Sequence, residues 1–152
     1  MADRTMGDTN ILLYAYDRGE PAKQPQALAV LDRLVVNSLG VLTSQVLAEF
    51  FVNATKKLQP PITIEEAYDR IQNYLLSWEI LDITGPVVLE AARGVRTYQM
   101  SYWDAQIWAT ARMNQIPVVL TEDFGNRTII EGVRFVNPFG SDFELEVLPG
   151  PR

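Results

Sequence analysis

The stretch Arg4-Thr5-Met6-Gly7-Asp8-Thr9-Asn10-Ile11-Leu12-Leu13-Tyr14-Ala15-Tyr16-Asp17 decides how this chain is read. A short extended run ends at Asp8, and Ile11 to Tyr16 continues as a buried helix with Asp8 or Thr9 at its start. A strand that passes through an acid directly into an apolar helix is the opening of a βα unit. Its first half is short and poor in β-branched residues, so the strand is expected to start late or to fray.

The same alternation repeats outward from this unit. Pro21 and Pro25 interrupt, and Ala27 to Val36 places Leu28, Leu31, Leu34 and Val35 at helical spacing. Gly40 to Thr43 reads as a short buried strand, and Ser44 as the N-cap of a helix from Gln45 to Leu58 that Pro60-Pro61 closes. Thr63 and Glu66 form a capping box for a helix reaching about Ser77, and Glu79 to Ile83 is a strand. Gly85-Pro86 opens the next helix, with proline in the first turn. Ser101 begins another, carrying Asp104, Ile107, Trp108, Ala111 and Arg112. Pro117 to Leu120 is a strand, Thr121 to Asn126 a polar turn and Gly132 to Val136 a last core strand. Short β-like runs alternating with longer helical ones predict an α/β fold: three layers, α/β/α, around a mostly parallel sheet of about four to five strands. Residues 1–139 form the domain, and 140–152 an acidic tail or one added edge strand.

The chain has 152 residues, 47% of them hydrophobic, which fits one domain with a full core. It contains no cysteine and no histidine. Disulfides, cysteine nucleophiles, thiolate or imidazole zinc sites and histidine triads are therefore excluded. What remains is oxygen chemistry suited to hard cations. The longest apolar run is far too short to span a bilayer, and no basic leader precedes it, so a cytoplasmic protein without membrane contact is expected. The net charge of −6 opposes a purely electrostatic grip on nucleic acid. Four pocketed carboxylates would carry −4 of that charge, and two divalent ions would cancel it.

Those four are Asp8, Glu49, Asp104 and Asp123, each near a predicted strand end or in the first turns of a helix. Such positions converge on the carboxyl edge of an open α/β sheet. Singly, each has an ordinary structural explanation. Asp8 fits a helix cap, Asp104 lies three residues after Ser101 as in a capping box, and Asp123 fits a turn, with Glu122 beside it pointing away into solvent. Glu49 shares a helical face with Gln45, Asn53 and Lys56, as a solvated polar stripe would.

The segments Asp8 to Asp17, Ser44-Gln45-Val46-Leu47-Ala48-Glu49-Phe50, Tyr102-Trp103-Asp104-Ala105 and Leu120-Thr121-Glu122-Asp123, closing on Gly132 to Phe139, resemble the PIN domain. Within that superfamily they look most like the VapC-type toxins of bacterial toxin–antitoxin pairs. The resemblance spans roughly residues 5–139. It implies a ribonuclease whose carboxylates hold one or two Mg²⁺ or Mn²⁺ ions at an RNA phosphodiester. Asp8 and Asp104 are then the foremost ligands, with Glu49 and Asp123 completing the cluster directly or through water. Thr9, Thr121 and Asn126 would donate hydrogen bonds around them. At least one of the clustered acids should have a raised pKa without metal.

The resemblance also implies a cognate antitoxin and a homodimer. Lys56, Arg112 and Arg127 are candidate phosphate contacts, and Trp103 and Trp108 candidate stacking partners for a base, against the simpler readings of solvated charge and buried core. Two other classes compete: a catalytically silent PIN-like binding module, and an aspartyl-phosphate receiver or phosphatase. The latter needs a lysine at a late strand end, and Pro117 to Phe124 offers none. A free-standing enzyme acting on RNA or DNA would use the same cleft.

Overall fold

The computed structural model describes residues 4–124, 128–145 and 148. Among them a six-stranded sheet has the order β3-β2-β1-β4-β6-β5. The strands are β1 (Thr5–Gly7), β2 (Gly40–Thr43), β3 (Glu79–Leu81), β4 (Val118–Leu120), β5 (Ile129–Ile130) and β6 (Val133–Val136). All pairings are parallel except that of β5 with β6. The extra strand relative to expectation is β5, a two-residue antiparallel edge.

The weak-looking first strand is a central one. Thr5 and Met6 pair with Gly40 and Val41 on one side, and Thr5 to Gly7 pair with Val118 to Leu120 on the other. All three of its residues are buried. It is short because Asp8 already caps the next helix, and two flanking ladders hold it without β-branched residues.

The helices are α1 (Thr9–Tyr14), α2 (Lys23–Val36), α3 (Ser44–Lys56), α4 (Ile64–Ser77), α5 (Gly85–Tyr98) and α6 (Tyr102–Met113). The chain runs from β1 outward to β2 and β3 and then returns past β1 to β4. Accordingly α1 packs on α2 and α3, α3 packs on α4, and α5 packs chiefly on α6, giving the three layers. The core between them is led by Trp108, Phe50, Phe135, Met6, Ile11 and Leu12, all fully buried. None of these helices is long and apolar enough to cross a membrane.

Local differences from expectation have local causes. Pro25 lies inside the first turn of α2, where its missing N–H costs nothing, so α2 starts earlier than Ala27. The buried face of α2 is Ala27, Val30, Leu31 and Leu34, while Leu28 and Val35 face outward. The cap of α3 is Thr43, whose hydroxyl accepts from Val46 N–H at 3.1 Å. Ser44 instead accepts from Ile83 N–H at 3.2 Å, joining α3 to the segment after β3. The caps at Thr63, Thr84 and Ser101 each accept a backbone N–H three residues ahead.

Among the described residues past Val136 there is no further strand. Phe143 and Leu145 pack on the core, and the buried Leu148 accepts from the Arg33 guanidinium through its carbonyl.

Candidate metal centre

Strands β1, β2 and β3 progress one way from the centre and β4 and β6 the other, so the order of the sheet reverses between β1 and β4. At such a switch point the loops diverge and leave a crevice at the carboxyl ends of the strands. Asp8 follows β1 and Asp123 follows β4, one on each side of that crevice. Asp104 stands in the first turn of α6, and Glu49 in the second turn of α3. All four line one cavity of about 300 Å³, so the sheet brings together every acid singled out in the sequence.

Asp8, Asp104 and Asp123 form the inner set, each offering a carboxylate oxygen within 4.8 Å of the other two. Glu49 lines the same cavity but stands outside this set. Two oxygens on one octahedral Mg²⁺ at about 2.1 Å are at most about 4.2 Å apart. Only one pair can stand that far apart, since neighbouring positions on such an ion are about 3.0 Å apart, so the three acids share an ion by closing on it by up to about 1.8 Å or by leaving one link to water. An all-oxygen, all-carboxylate donor set of this spread fits a hard divalent cation and suits zinc poorly.

Each acid is held. Asp8 is 6% exposed. One of its oxygens accepts from Thr9 N–H at 2.7 Å, and the other from the Thr121 hydroxyl at 2.7 Å. Asp8 is thus both the cap of α1 and a member of the cluster. The buried Thr121 also accepts from Asp123 N–H at 3.1 Å, so one hydroxyl sets two of the three acids. The Thr9 hydroxyl donates to Glu49 at 3.2 Å, and the Gln45 amide donates to its other oxygen at 2.6 Å. Gln45 is fixed in turn by Gln106, and Gln106 by Tyr102, a chain of side-chain hydrogen bonds running from α6 into α3. The Asp104 backbone N–H bonds to Ser101, which sets the helix start while the carboxylate faces the cavity.

The electrostatics follow from this crowding. Burial pushes the Asp8 carboxyl up to about 6, against the pull of its hydrogen bonds from Thr121 and Thr9, and the charges of Asp123 and Glu49 add to the rise. Asp123 is also raised, first by desolvation and then by the Asp104 and Glu122 charges, with the Asn10 amide opposing. A buried carboxyl pushed up by like-charged neighbours is relieved by protonation or by a cation.

The remaining candidates are placed as follows. Glu122 does not point away into solvent; it lines the cavity and is bonded to Lys23 and Tyr14. Arg112 pairs with Glu90 of α5 and takes no part in the site. Trp108 is fully buried, its indole N–H donating to Ile130 carbonyl at 3.1 Å, so it belongs to the core. Trp103 is 63% exposed on the cavity wall. Asn53 lines the cavity, whereas Lys56, one turn further along α3, does not. Asn126 and Arg127 lie outside the described residues. Asn10, Leu13 and Tyr14, which carry no charge to mark them in the sequence, also line the cavity; their spacing of three and four residues puts them on one face of α1.

A sequence model of the PIN domain matches residues 6–127 of the chain. Solved structures share the fold at low identity. A toxin–antitoxin complex from Klebsiella pneumoniae is 20% identical over 88% of this chain and 97% of that one, with a TM-score of 0.65. VapC20 from Mycobacterium tuberculosis, described as a toxin that cleaves the sarcin–ricin loop, is 17% identical over 86% and 98%, with a TM-score of 0.64. VapBC2 from Rickettsia felis, solved bound to a DNA fragment from its promoter, is 18% identical over 86% and 96%, with a TM-score of 0.60. No curated protein sequence matches it.

Proposed function

The chain belongs to the PIN domain family, and on that premise we propose that it is a metal-dependent endoribonuclease, the toxin of a toxin–antitoxin pair. The observation that carries this reading is the inner set of Asp8, Asp104 and Asp123, with ligand oxygens within 4.8 Å of one another at the switch point of the sheet. Its silent-module rival would have no reason to keep three carboxylates so close, because their mutual repulsion destabilises the fold.

Asp8, Asp104 and Asp123 would hold Mg²⁺ or Mn²⁺, one or two ions per site, with Glu49 reaching it through water. A bound divalent ion supplies a Lewis acid for the phosphoryl oxygen and lowers the pKa of water for in-line attack. The chain's own part is positioning. Thr121 orients Asp8 and the Asp123 backbone together, and Thr9 and Gln45 fix both oxygens of Glu49. Trp103, exposed on the wall, offers a face on which an unpaired base can stack.

Two partners accompany the reading. The acidic cavity favours a basic segment of an antitoxin that would block it. A second copy of the chain would pack against it through exposed apolar helix faces, making a homodimer. A single monomeric species at micromolar concentration in size-exclusion chromatography would remove the dimer from the account.

The decisive assay compares wild type with Asp104→Asn on structured RNAs, with Mg²⁺ and with EDTA, beside DNA of the same sequence. Wild type should cleave RNA only with metal, and the folded variant should fall by at least about a hundredfold, as loss of a charge-stabilising group does. A folded variant that cleaves as fast as wild type would exclude the site, and preferential cleavage of DNA would reassign the substrate.

A further inference from the structure

Beside the inner acids stands a fifth carboxylate, Glu122, adjacent in sequence to Asp123 and lining the same cavity. Both of its oxygens are occupied. One accepts from the Tyr14 hydroxyl at 2.5 Å, and the other from Lys23 Nζ at 2.6 Å. Lys23 also donates to the Tyr14 oxygen at 3.2 Å, closing a three-membered ring of side chains from α2, α1 and the turn after β4. The ammonium lies 4.7 Å from the centre of the Tyr14 ring and 5.8 Å from that of Phe139, whose own ring meets Tyr14 edge-on at 4.9 Å. Aromatic faces therefore confine the cation where it meets Glu122. Lys23 does not itself line the cavity, so it reaches the site through Glu122.

We infer that Lys23 and Tyr14 are positioning residues that withhold Glu122 from the metal, leaving the ion a defined set of acids. This rests on the metal-dependent reading of the site. A carboxylate with both oxygens spent on a cation and a hydroxyl is a poor ligand, whereas a free one next to Asp123 would join the set, neutralise more of the ion's charge and repel the incoming phosphodiester. Lys23 thus holds the pocket at a charge that binds metal without over-binding it, at the cost of one carboxylate. The ring also ties the turn bearing Asp123 to α1 and α2, which fixes where that ligand stands.

The test is Mn²⁺ binding by calorimetry on the full chain, with RNA KM as a second readout. Removing a unit charge that acts on a divalent ion across about 8 Å of water changes affinity roughly fivefold. Lys23→Met should therefore bind Mn²⁺ about fivefold more tightly while its RNA KM rises. Lys23→Arg should stay near wild type, and Lys23→Met/Glu122→Gln should return toward it, because the competing carboxylate is gone. Tyr14→Phe, which frees one Glu122 oxygen in an isosteric background, should shift affinity in the same direction and carries the test if Lys23→Met does not fold. Wild type binding Mn²⁺ while Tyr14→Phe binds it equally or more weakly would overturn this inference alone, whatever Lys23→Met does, because loss of the Lys23 charge tightens binding by itself. A wild type that binds no Mn²⁺ would overturn the metal-dependent reading and this inference with it.

Discussion

Asp8→Asn should make the metal-free protein more stable at neutral pH while removing most of its response to metal. The Asp8 carboxyl is raised from 3.8 to about 6 by burial. Between those values the folded state keeps a proton that the unfolded chain has already released. Stability from this group is therefore present below about pH 4 and falls as pH rises, until above about pH 6 the fold holds an ionised carboxylate in a desolvated site. That rise in pKa corresponds to about 3 kcal/mol, an upper figure for what the charge costs at pH 8. Asparagine carries no such cost and can still accept from Thr9 N–H, although its amide nitrogen replaces the oxygen that accepts from the Thr121 hydroxyl, a loss of about 1 kcal/mol. The net gain of about 2 kcal/mol corresponds to roughly 4–8 °C in Tm for a chain of this size. The assay is urea denaturation in EDTA at pH 5 and pH 8, repeated at pH 8 with Mn²⁺. Wild type should lose stability between pH 5 and 8, and Asp8→Asn should lose less; because Asp123 is raised as well, some loss remains in the variant. With Mn²⁺ at about a hundred times its Kd, wild type should recover about 2.7 kcal/mol and the variant little. An Asp8→Asn protein less stable than wild type at pH 8 in EDTA would refute the claim that burial makes the ionised Asp8 carboxylate costly in the metal-free fold.

Thr121→Val removes the hydroxyl that donates to Asp8 and accepts from Asp123 N–H. It should cost about 1–3 kcal/mol in denaturant unfolding and weaken Mn²⁺ binding about 10–100-fold in a titration. Gly40→Ala should destabilise by about 1–3 kcal/mol, because a Cβ at this position of β2 would collide with the Trp78 ring. A thermal melt within one degree of wild type would contradict that packing. Trp108→Ala should cost about 3–5 kcal/mol and lower Tm at every pH alike, since its role is packing and one bond to Ile130 rather than ionisation.

Much of this site was legible because its acids are tied to local events. Asp8 marks a strand passing into a helix, Asp104 follows a serine cap, and Asp123 follows a compact apolar strand; each leaves a mark within a few residues. The sheet converts those marks into one cavity, since strand ends in a parallel α/β fold share an edge. Long-range partners left no such mark. Lys23 reads as one more surface charge, and its bond to Glu122 spans 99 positions. Arg112 lies about a quarter-turn off the Asp104 face of its helix, but the sequence does not reveal that Glu90 of α5 waits beside it. The strand β5 holds two residues, too few for any alternation, and exists because β6 offers it an edge. The cap of α3 fell on Thr43 rather than Ser44 because either hydroxyl suits a cap. Pairing of Thr43 with Leu81 keeps Thr43 extended at the end of β2, the conformation a cap requires.

The central claim is that Asp8, Asp104 and Asp123 share a divalent ion, and an anomalous-scattering map from crystals soaked in Mn²⁺ tests it most directly. A peak is expected about 2.1 Å from oxygens of at least two of these acids, with Glu49 joined through water and Glu122 still on Lys23 and Tyr14. A well-ordered crystal with no anomalous density in this cavity at millimolar Mn²⁺ would contradict it.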